Sequence, residues 1–405
     1  MRKIARMRVA LITGALVGWT ASPGVARTHT VASGQNLQQT LDRAKNGDTI
    51  HLGAGVFNAT PTPFVDSLCG NCQEQRTPVP ASYGFTIHDK SLVVVGAGAE
   101  MTTLVTNAGY GVWVSDAPSV TLTRLAVTGG VRDKDGNATD AGIVIRNSNV
   151  TITDVAVRDQ EYKDTSVIVG VGGVFGREGA EITLSDSRIV NNSWDGVALY
   201  RGANATVTDC VIKKGRGAGI GVTWDATCVA TRNEISGFWK GIGAFGTSWV
   251  IARNNAVHHQ RGWGMIATGD SWMDISNNVV FANGNCGVAA WGTGSRGRMV
   301  NNIIANNGTE KEWVCPCVGV WNVGDWSMWE FAHNIVWSNK DGNYRDIWDQ
   351  SGERGNLDID PLFVDTLTFR LQVGSPAIDS GDVRLNDRNG SRSDIGLWGG
   401  PQGRQ

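Results

Sequence analysis

A chain of 405 residues with 36 Lys and Arg against 38 Asp and Glu has a formal charge of −2, and this balance gives no footing for a nucleic-acid partner. Its length would suit two or three ordinary domains, but an internal repeat overrides that expectation. Glycine is abundant, at 53 residues, about 13 % against roughly 7 % in average proteins, and charged residues make up only 18 %.

At the N-terminus, Arg2, Lys3, Arg6 and Arg8 precede the apolar run VALITGALVGW, and Gly24 and Ala26 occupy the −3 and −1 positions of a cleavage site. This pattern predicts a secretory signal peptide over 1–26, a mature chain from near Arg27, and a secreted or periplasmic location. The run is too short for a comfortable membrane span. The stretch GQNLQQTLDRAKNGDTIHL, starting at Gly34, then predicts a short amphipathic helix and a first strand. Together they would make residues 27–57 a cap on the open end of a solenoid, as terminal units require.

A repeat follows. Segments such as GVALYRGANATVTDCVI, from Gly196, recur at Gly142, Gly173, Gly196, Gly219, Gly241, Gly264, Gly287 and Gly319, with weaker copies at Gly84 and Gly111. The spacing is 22 or 23 residues in the regular part. A period of this size with three short strands per unit predicts the coil of a parallel β-helix, with successive strands stacked about 4.8 Å apart. Apolar residues one and three places after each glycine, such as Val197/Leu199, Ile220/Val222 and Ile242/Ala244, are expected to face inward. Asn233, Asn255, Asn278, Asn302 and Asn334 share one turn position and predict a structural hydrogen-bonded column. The Cys69/Cys72 and Cys315/Cys317 pairs lie in turn-rich loops without the partner ligands of a zinc site. In an exported chain they read as loop staples, and the total of seven leaves at least one thiol unpaired.

The coil pattern, the asparagine column, the cap and the stretch DPLFV…FRLQ…SPAIDSG resemble the pectin lyase-like, right-handed parallel β-helix superfamily. The resemblance covers nearly the whole mature chain. It implies one all-β solenoid of about ten coils, with regular coils over 84–345 and a closing segment over 346–405. The superfamily holds polysaccharide lyases, glycoside hydrolases, uronate epimerases and non-catalytic repeat proteins, so it implies fold more narrowly than reaction. It also implies a substrate groove along the outer face of each coil's first strand, walled by the loop before that strand.

On that face the fourth place after each glycine brings Arg146, Arg177, Tyr200, Phe245 and Trp291 into one column, with Glu178, Arg201, Trp224 and Asp225 beside them. The second place is small at Ala198, Gly221, Gly243 and Ala289, which suggests a floor that a ligand can approach. The preceding loops supply Asp195, Lys213, Lys214, Arg216, Trp239, Lys240, His258, His259, Arg261 and Trp263, a basic wall suited to an acidic glycan. The same aromatic residues could instead form a ladder that only stabilises the sheet.

Two chemistries fit these residues. β-Elimination of a uronate needs a group to neutralise the carboxylate, a base for the adjacent carbon-bound proton, and an acid for the leaving oxygen. Arg177, Arg201 or Lys240 would neutralise, Lys240 or His258 would act as base, and Tyr200 as acid. Arg146, Glu178, Trp224, Phe245, Arg261 and Trp291 would bind the chain. Calcium held by Glu178, Asp195 and Asp225 is the alternative to the arginine clamp. Hydrolysis would instead pair Asp195 with Asp225 across one bond, about 5 to 9.5 Å apart. Lys240 followed by Arg261 one coil later also resembles the lysine base and arginine acid of chondroitinase B-like alginate and chondroitin lyases, although only Glu234 stands where their acidic calcium motif would be. The lyase is the leading reading, with hydrolase, epimerase and non-catalytic glycan binder as alternatives. The expected partner is a polysaccharide and the expected state a monomer.

Overall fold

Strand-forming triplets and quintets of alternating apolar residues, broken by glycine and by left-handed turn residues, wind this chain into a right-handed parallel β-helix. The computed structural model describes residues 26–68, 78–161 and 169–404. The expected signal peptide, apart from Ala26, and the Cys69/Cys72 pair lie outside the described residues.

Each coil gives its first strand to a 12-stranded sheet and its other two to a 21-stranded sheet. Every pairing in the smaller sheet is parallel except that of Thr62–Asp66 with Val79–His88. The register follows the repeat: Val197 pairs with Ile220 and Leu199 with Val222, and Ile220 in turn pairs with Ile242. These residues, with Ala244, Ile212 and Ile235, are completely buried in one continuous core. Inward alternation explains why the interior is so uniformly aliphatic: each position meets its own kind one coil above and below.

The turn between the second and third strands is only two residues long in these coils. Arg232, Asn254, Asn277, Asn301 and His333 adopt left-handed φ angles there, between 53° and 60°. The residue that follows in each coil is the expected asparagine, and all five are fully buried. The Nδ2 of Asn233 donates to Oδ1 of Asn255 at 2.9 Å, Asn255 to Asn278 at 3.0 Å, Asn278 to Asn302 at 3.1 Å and Asn302 to Asn334 at 2.9 Å. Asn356 continues the column. A second ladder runs through Asn283, Asn307 and Asn339, entered from the backbone N–H of Gln260. Replacing Asn278 with leucine strands the backbone N–H of Asn255 and one hydrogen of its Nδ2, whose other hydrogen stays on the Ala230 carbonyl. The expected loss of stability is about 1–3 kcal/mol, read as a lowered unfolding midpoint; an unchanged midpoint would show that the column carries no strength.

At the N-terminal end, Asn36 caps the helix Leu37–Arg43 by accepting from the N–H of Gln39, and Leu37 and Leu41 plug the core. Two features were not foreseen there. Thr28–Val31 forms a strand beside Asp48–Leu52. The hairpin begun by Thr62–Asp66 brings Phe64 onto the outer face, 5.5 Å from Tyr110 and 6.0 Å from Trp113 between ring centroids. The closing segment packs Ile347 against the core at the far end and pairs Leu357 with Ile335. It runs back along the flank of the larger sheet, where Phe369, Ala377, Ile395 and Leu397 cover Ala256, Val279, Ile303 and Ile335.

Candidate functional site

The site builds from the outer face of the smaller sheet, where the three strands Val197–Leu199, Ala218–Val222 and Lys240–Ala244 lie side by side. Ala198, Gly221 and Gly243 share one row across them. That row is not open throughout. The Phe245 ring folds back over Gly243, so closely that a Cβ there would stand 2.5 Å from it. Gly243 therefore makes room for a ring of its own chain. The opening is at Gly221, where an added Cβ would meet only Ala218 at 3.4 Å and the Asp195 carboxylate at 3.8 Å.

Asp195, Ala218 and Lys240 occupy one row at the strand entrances. The Asp195 Oδ1 accepts the backbone N–H of Ala218 at 2.5 Å. Burial raises the Asp195 carboxyl to about 6, against the lowering effects of the Ala218 N–H and of Lys240. Burial also lowers the Lys240 ammonium, opposed by attraction to Asp195. The Lys240 Nζ stands 4.6 Å from the Trp239 ring centroid and 4.9 Å from that of Phe245, a cation held between two aromatic faces. On the other side of the opening, Tyr200 packs edge-on against Phe175 at 6.0 Å and beside Trp224 at 5.7 Å. Burial raises its phenol, with Asp195 contributing in the same direction. Asp195, Tyr200 and Lys240 thus surround the open floor at Gly221: a lysine biased towards the neutral amine, a phenol that keeps its proton, and a carboxyl that ionises within the physiological range.

The wall is aromatic and basic. Trp313 stacks on Trp239 at 5.8 Å and 21°, and its indole N–H donates to the Arg261 carbonyl at 3.2 Å. Arg261 is exposed and donates to the carbonyl of Gly215 at 2.9 Å. Arg216 lies 5.8 Å from the Trp194 ring centroid. Further along, Trp291 contacts Trp263 and Trp321 at 6.2 and 5.2 Å and is 40 % exposed.

Several expected site residues stand elsewhere. Arg177 is fully buried and bonds to Asp66, which the unforeseen hairpin carries across the face. Arg146 bonds to the same carboxylate at 3.2 Å and to Asp116 at 3.3 Å. Arg201, 4 % exposed, donates to Glu178 at 2.5 Å and lies 5.4 Å from the Trp224 ring. These charges satisfy one another, so this third of the face is an internal ionic network and not a clamp. His258 ends a strand of the larger sheet, Ala256–His258, with its Nε2 3.4 Å from Glu234 and its ring 5.7 Å from Phe369. It lies under the returning C-terminal segment and not in the groove. His258 and Lys213 hold the Glu234 carboxylate down at about 2.

Asp225 occupies the turn beyond the strand Ala218–Val222, where it accepts the N–H of Gly202 at 2.8 Å. Asp195 is level with Ala218 at the other end of that strand. The Asp195 Oδ2 reaches along that strand to 3.8 Å from where a Gly221 Cβ would stand, whereas Asp225 is turned to the Gly202 N–H. Glu178, Asp195 and Asp225 each hold a different partner, Arg201, the Ala218 N–H and the Gly202 N–H. Among the described residues no group of three or more His, Cys, Asp or Glu side chains gathers as a metal site. No helix of the described residues is long and apolar enough to cross a membrane.

Sequence reasoning passed over two parts of the site. Asp66 gave no signal, because an antiparallel excursion leaves no trace in a parallel repeat. Trp313 lay in the 32-residue gap between Gly287 and Gly319, and that extra length was the available sign of an inserted loop.

Comparison with known proteins agrees with this architecture. The sequence family described as the right-handed β-helix region matches residues 99–248 and 141–308. No curated protein matches. Among solved structures, a pectate lyase superposes with a TM-score of 0.54 at 14 % identity, over 92 % of this chain and 96 % of that one. A PL6-family polysaccharide lyase from Pseudopedobacter saltans gives 0.49 at 13 %, over 91 % and 99 % of the two chains. The A-module of a mannuronan C-5 epimerase from Azotobacter vinelandii gives 0.41 at 12 %, over 80 % and 94 %. With the family match spanning more than half of its length, this chain belongs to the right-handed β-helix family.

Proposed function

We propose that this protein is an exported polysaccharide lyase that cleaves an acidic, uronate-containing glycan by β-elimination. The carrying observation is Lys240, whose half-buried ammonium is biased towards the free amine beside Asp195 at the open floor of Gly221. The amine takes the proton from the carbon next to the uronate carboxylate. The electron pair left behind forms the carbon–carbon double bond as the bond to the glycosidic oxygen breaks. Tyr200 gives that oxygen its proton, and solvent carries the proton on Lys240 away and restores the phenol. Arg261, exposed on the wall, offers a planar fork to the substrate carboxylate. Trp239, Trp313 and Trp291 offer ring faces to the sugars. The protein would act as a monomer outside the cytoplasm.

The test is ultraviolet absorbance during incubation with a panel of uronate polymers: a lyase produces an unsaturated, absorbing end, whereas a hydrolase or a binder does not. The pH profile gives a second check. Ionised Asp195 raises the Lys240 pKa by attraction. Asp195→Asn removes that field, so the limb of rising activity is expected to move to lower pH. If Asp195 is instead a catalytic acid for hydrolysis, the variant loses activity across the whole range, and the elimination mechanism falls.

A further inference from the structure

We propose that Cys286 and Cys315 join in a disulfide that fixes the 308–318 loop as the wall of the groove. The sequence pointed to Cys315 with Cys317, two residues apart. The structure turns them differently. The Cys315 Sγ lies 3.0 Å from the Cys286 Sγ, and the Cys286 N–H donates to Cys315 Sγ at 3.4 Å. Cys317 faces Asn285 and the carbonyl of Glu310, at 3.7 and 3.6 Å. Cys286 and Cys315 are both buried, in a cluster with Trp263, Ile266, Ala289 and Val318. Cys286 shares the row of Lys240 and Trp263 at the strand entrances.

Hydrogen bonds hold the loop at its start and end, while at its tip Trp313 rests on the Arg261 carbonyl at 3.2 Å and the Val314 N–H on Asn285 Oδ1 at 3.4 Å. Gly308 and Glu310 donate to the carbonyls of Asn283 and Gly284 at 2.8 and 2.9 Å, and Asn285 reaches the carbonyl of Lys311 at 3.2 Å. Trp313, 58 % exposed, rests on Trp239 beside the Lys240 ammonium. A covalent link one residue from Val314 and two from Trp313 therefore decides whether this ring stays over the groove.

The oxidant is a disulfide donor, either a small molecule such as oxidised glutathione or a protein disulfide. One cysteine thiolate attacks the donor and releases a donor thiol. The second then displaces the other donor thiol and closes the bond. Two protein thiols thus lose two electrons and two protons, and one donor disulfide becomes two thiols. Closure on the nascent chain, before the loop docks, accounts for a bond made between two side chains that end up buried.

The role assigned to the loop rests on the groove reading above, but the bond itself is tested without activity. The full chain is folded with oxidised glutathione, alkylated under denaturing conditions and digested without reductant. A linked peptide pair containing Cys286 and Cys315 is expected. Both residues alkylated, or Cys315 linked to Cys317, overturns the proposal. The loop carries its own reporter in Lys311, which is exposed. Trypsin is expected to cut after Lys311 severalfold faster in reduced protein and in Cys315→Ser than in oxidised wild type, with Cys317→Ser cut like wild type. Equal rates in all four overturn the wall-fixing role. On an active polymer, Cys315→Ser should raise KM severalfold with kcat unchanged. If no polymer is turned over, the peptide map and the trypsin rates still decide the proposal.

Discussion

Replacing Lys240 with alanine is expected to lower turnover on a uronate polymer at least about 100-fold, the usual scale for a positioned acid–base group, and Tyr200→Phe should do the same. The two residues enter from strands two coils apart, yet both border the floor at Gly221. Neither side chain enters the core, whose members on these strands are Val197, Leu199, Ile220, Val222, Ile242 and Ala244. The unfolding midpoint should therefore move little in either variant. In Lys240→Ala, Asp195 keeps the N–H of Ala218 and can take up a proton near pH 6, so no buried charge is stranded. Full activity in both variants, measured as initial rates of absorbance increase, would remove the lyase mechanism. Lost activity with a collapsed midpoint would show that the residues hold the fold instead.

The largest expected effect on stability is remote from the reaction. Asp66→Ala should cost about 3–5 kcal/mol, the range found when one partner of a buried ion pair is removed. Asp66 is 1 % exposed, and it receives hydrogen bonds from Arg177, from Arg146 at 3.2 Å and from the Tyr110 hydroxyl at 3.2 Å. Without it, the fully buried Arg177 guanidinium loses its closest carboxylate while remaining out of water. Denaturant unfolding measures the loss, and an unchanged midpoint would mean that the hairpin does not depend on this ionic network. Adding Arg177→Met to Asp66→Ala should recover much of the deficit, because a well-packed apolar replacement of a buried pair is often neutral or stabilising.

These two residues also mark what could be read in the sequence. A repeat of 22 or 23 residues fixes which side chains share a row, so Val197/Leu199 in the core, the asparagine column, and Asp195 with Lys240 in one row were all legible. Row position says on which face a side chain leaves the strand. It does not say what folds over that face, and so Arg177 and Arg201 read as a clamp. His258 was misassigned for a related reason: it closes the third strand of its coil, and the loop that lines the groove begins after it. The second ladder was missed because a glutamine, Gln260, and not an asparagine opens it. Asp195 and Asp225 belong to adjacent coils, and each accepts a backbone N–H of the other's coil, Ala218 for Asp195 and Gly202 for Asp225.

A solenoid in which each coil touches only the next unravels from its ends, since no contact joins distant units. The C-terminal segment removes that freedom over five successive coils. Leu357 pairs with Ile335 near its start, the Gly396 N–H donates to the Asn301 carbonyl at 2.7 Å, and Asn254 grips it by donating to the carbonyls of Leu397 and Gly399 at 3.0 and 2.7 Å. Arg404 then reaches the carbonyls of Arg232 and Asn233 at 3.2 Å. The strap works like the spine of a bound book: a page at one end cannot lift without disturbing those at the other. The coils from Arg232 to Ile335 are thereby made to melt as one cooperative block, and the groove they carry keeps its shape until the whole block gives way.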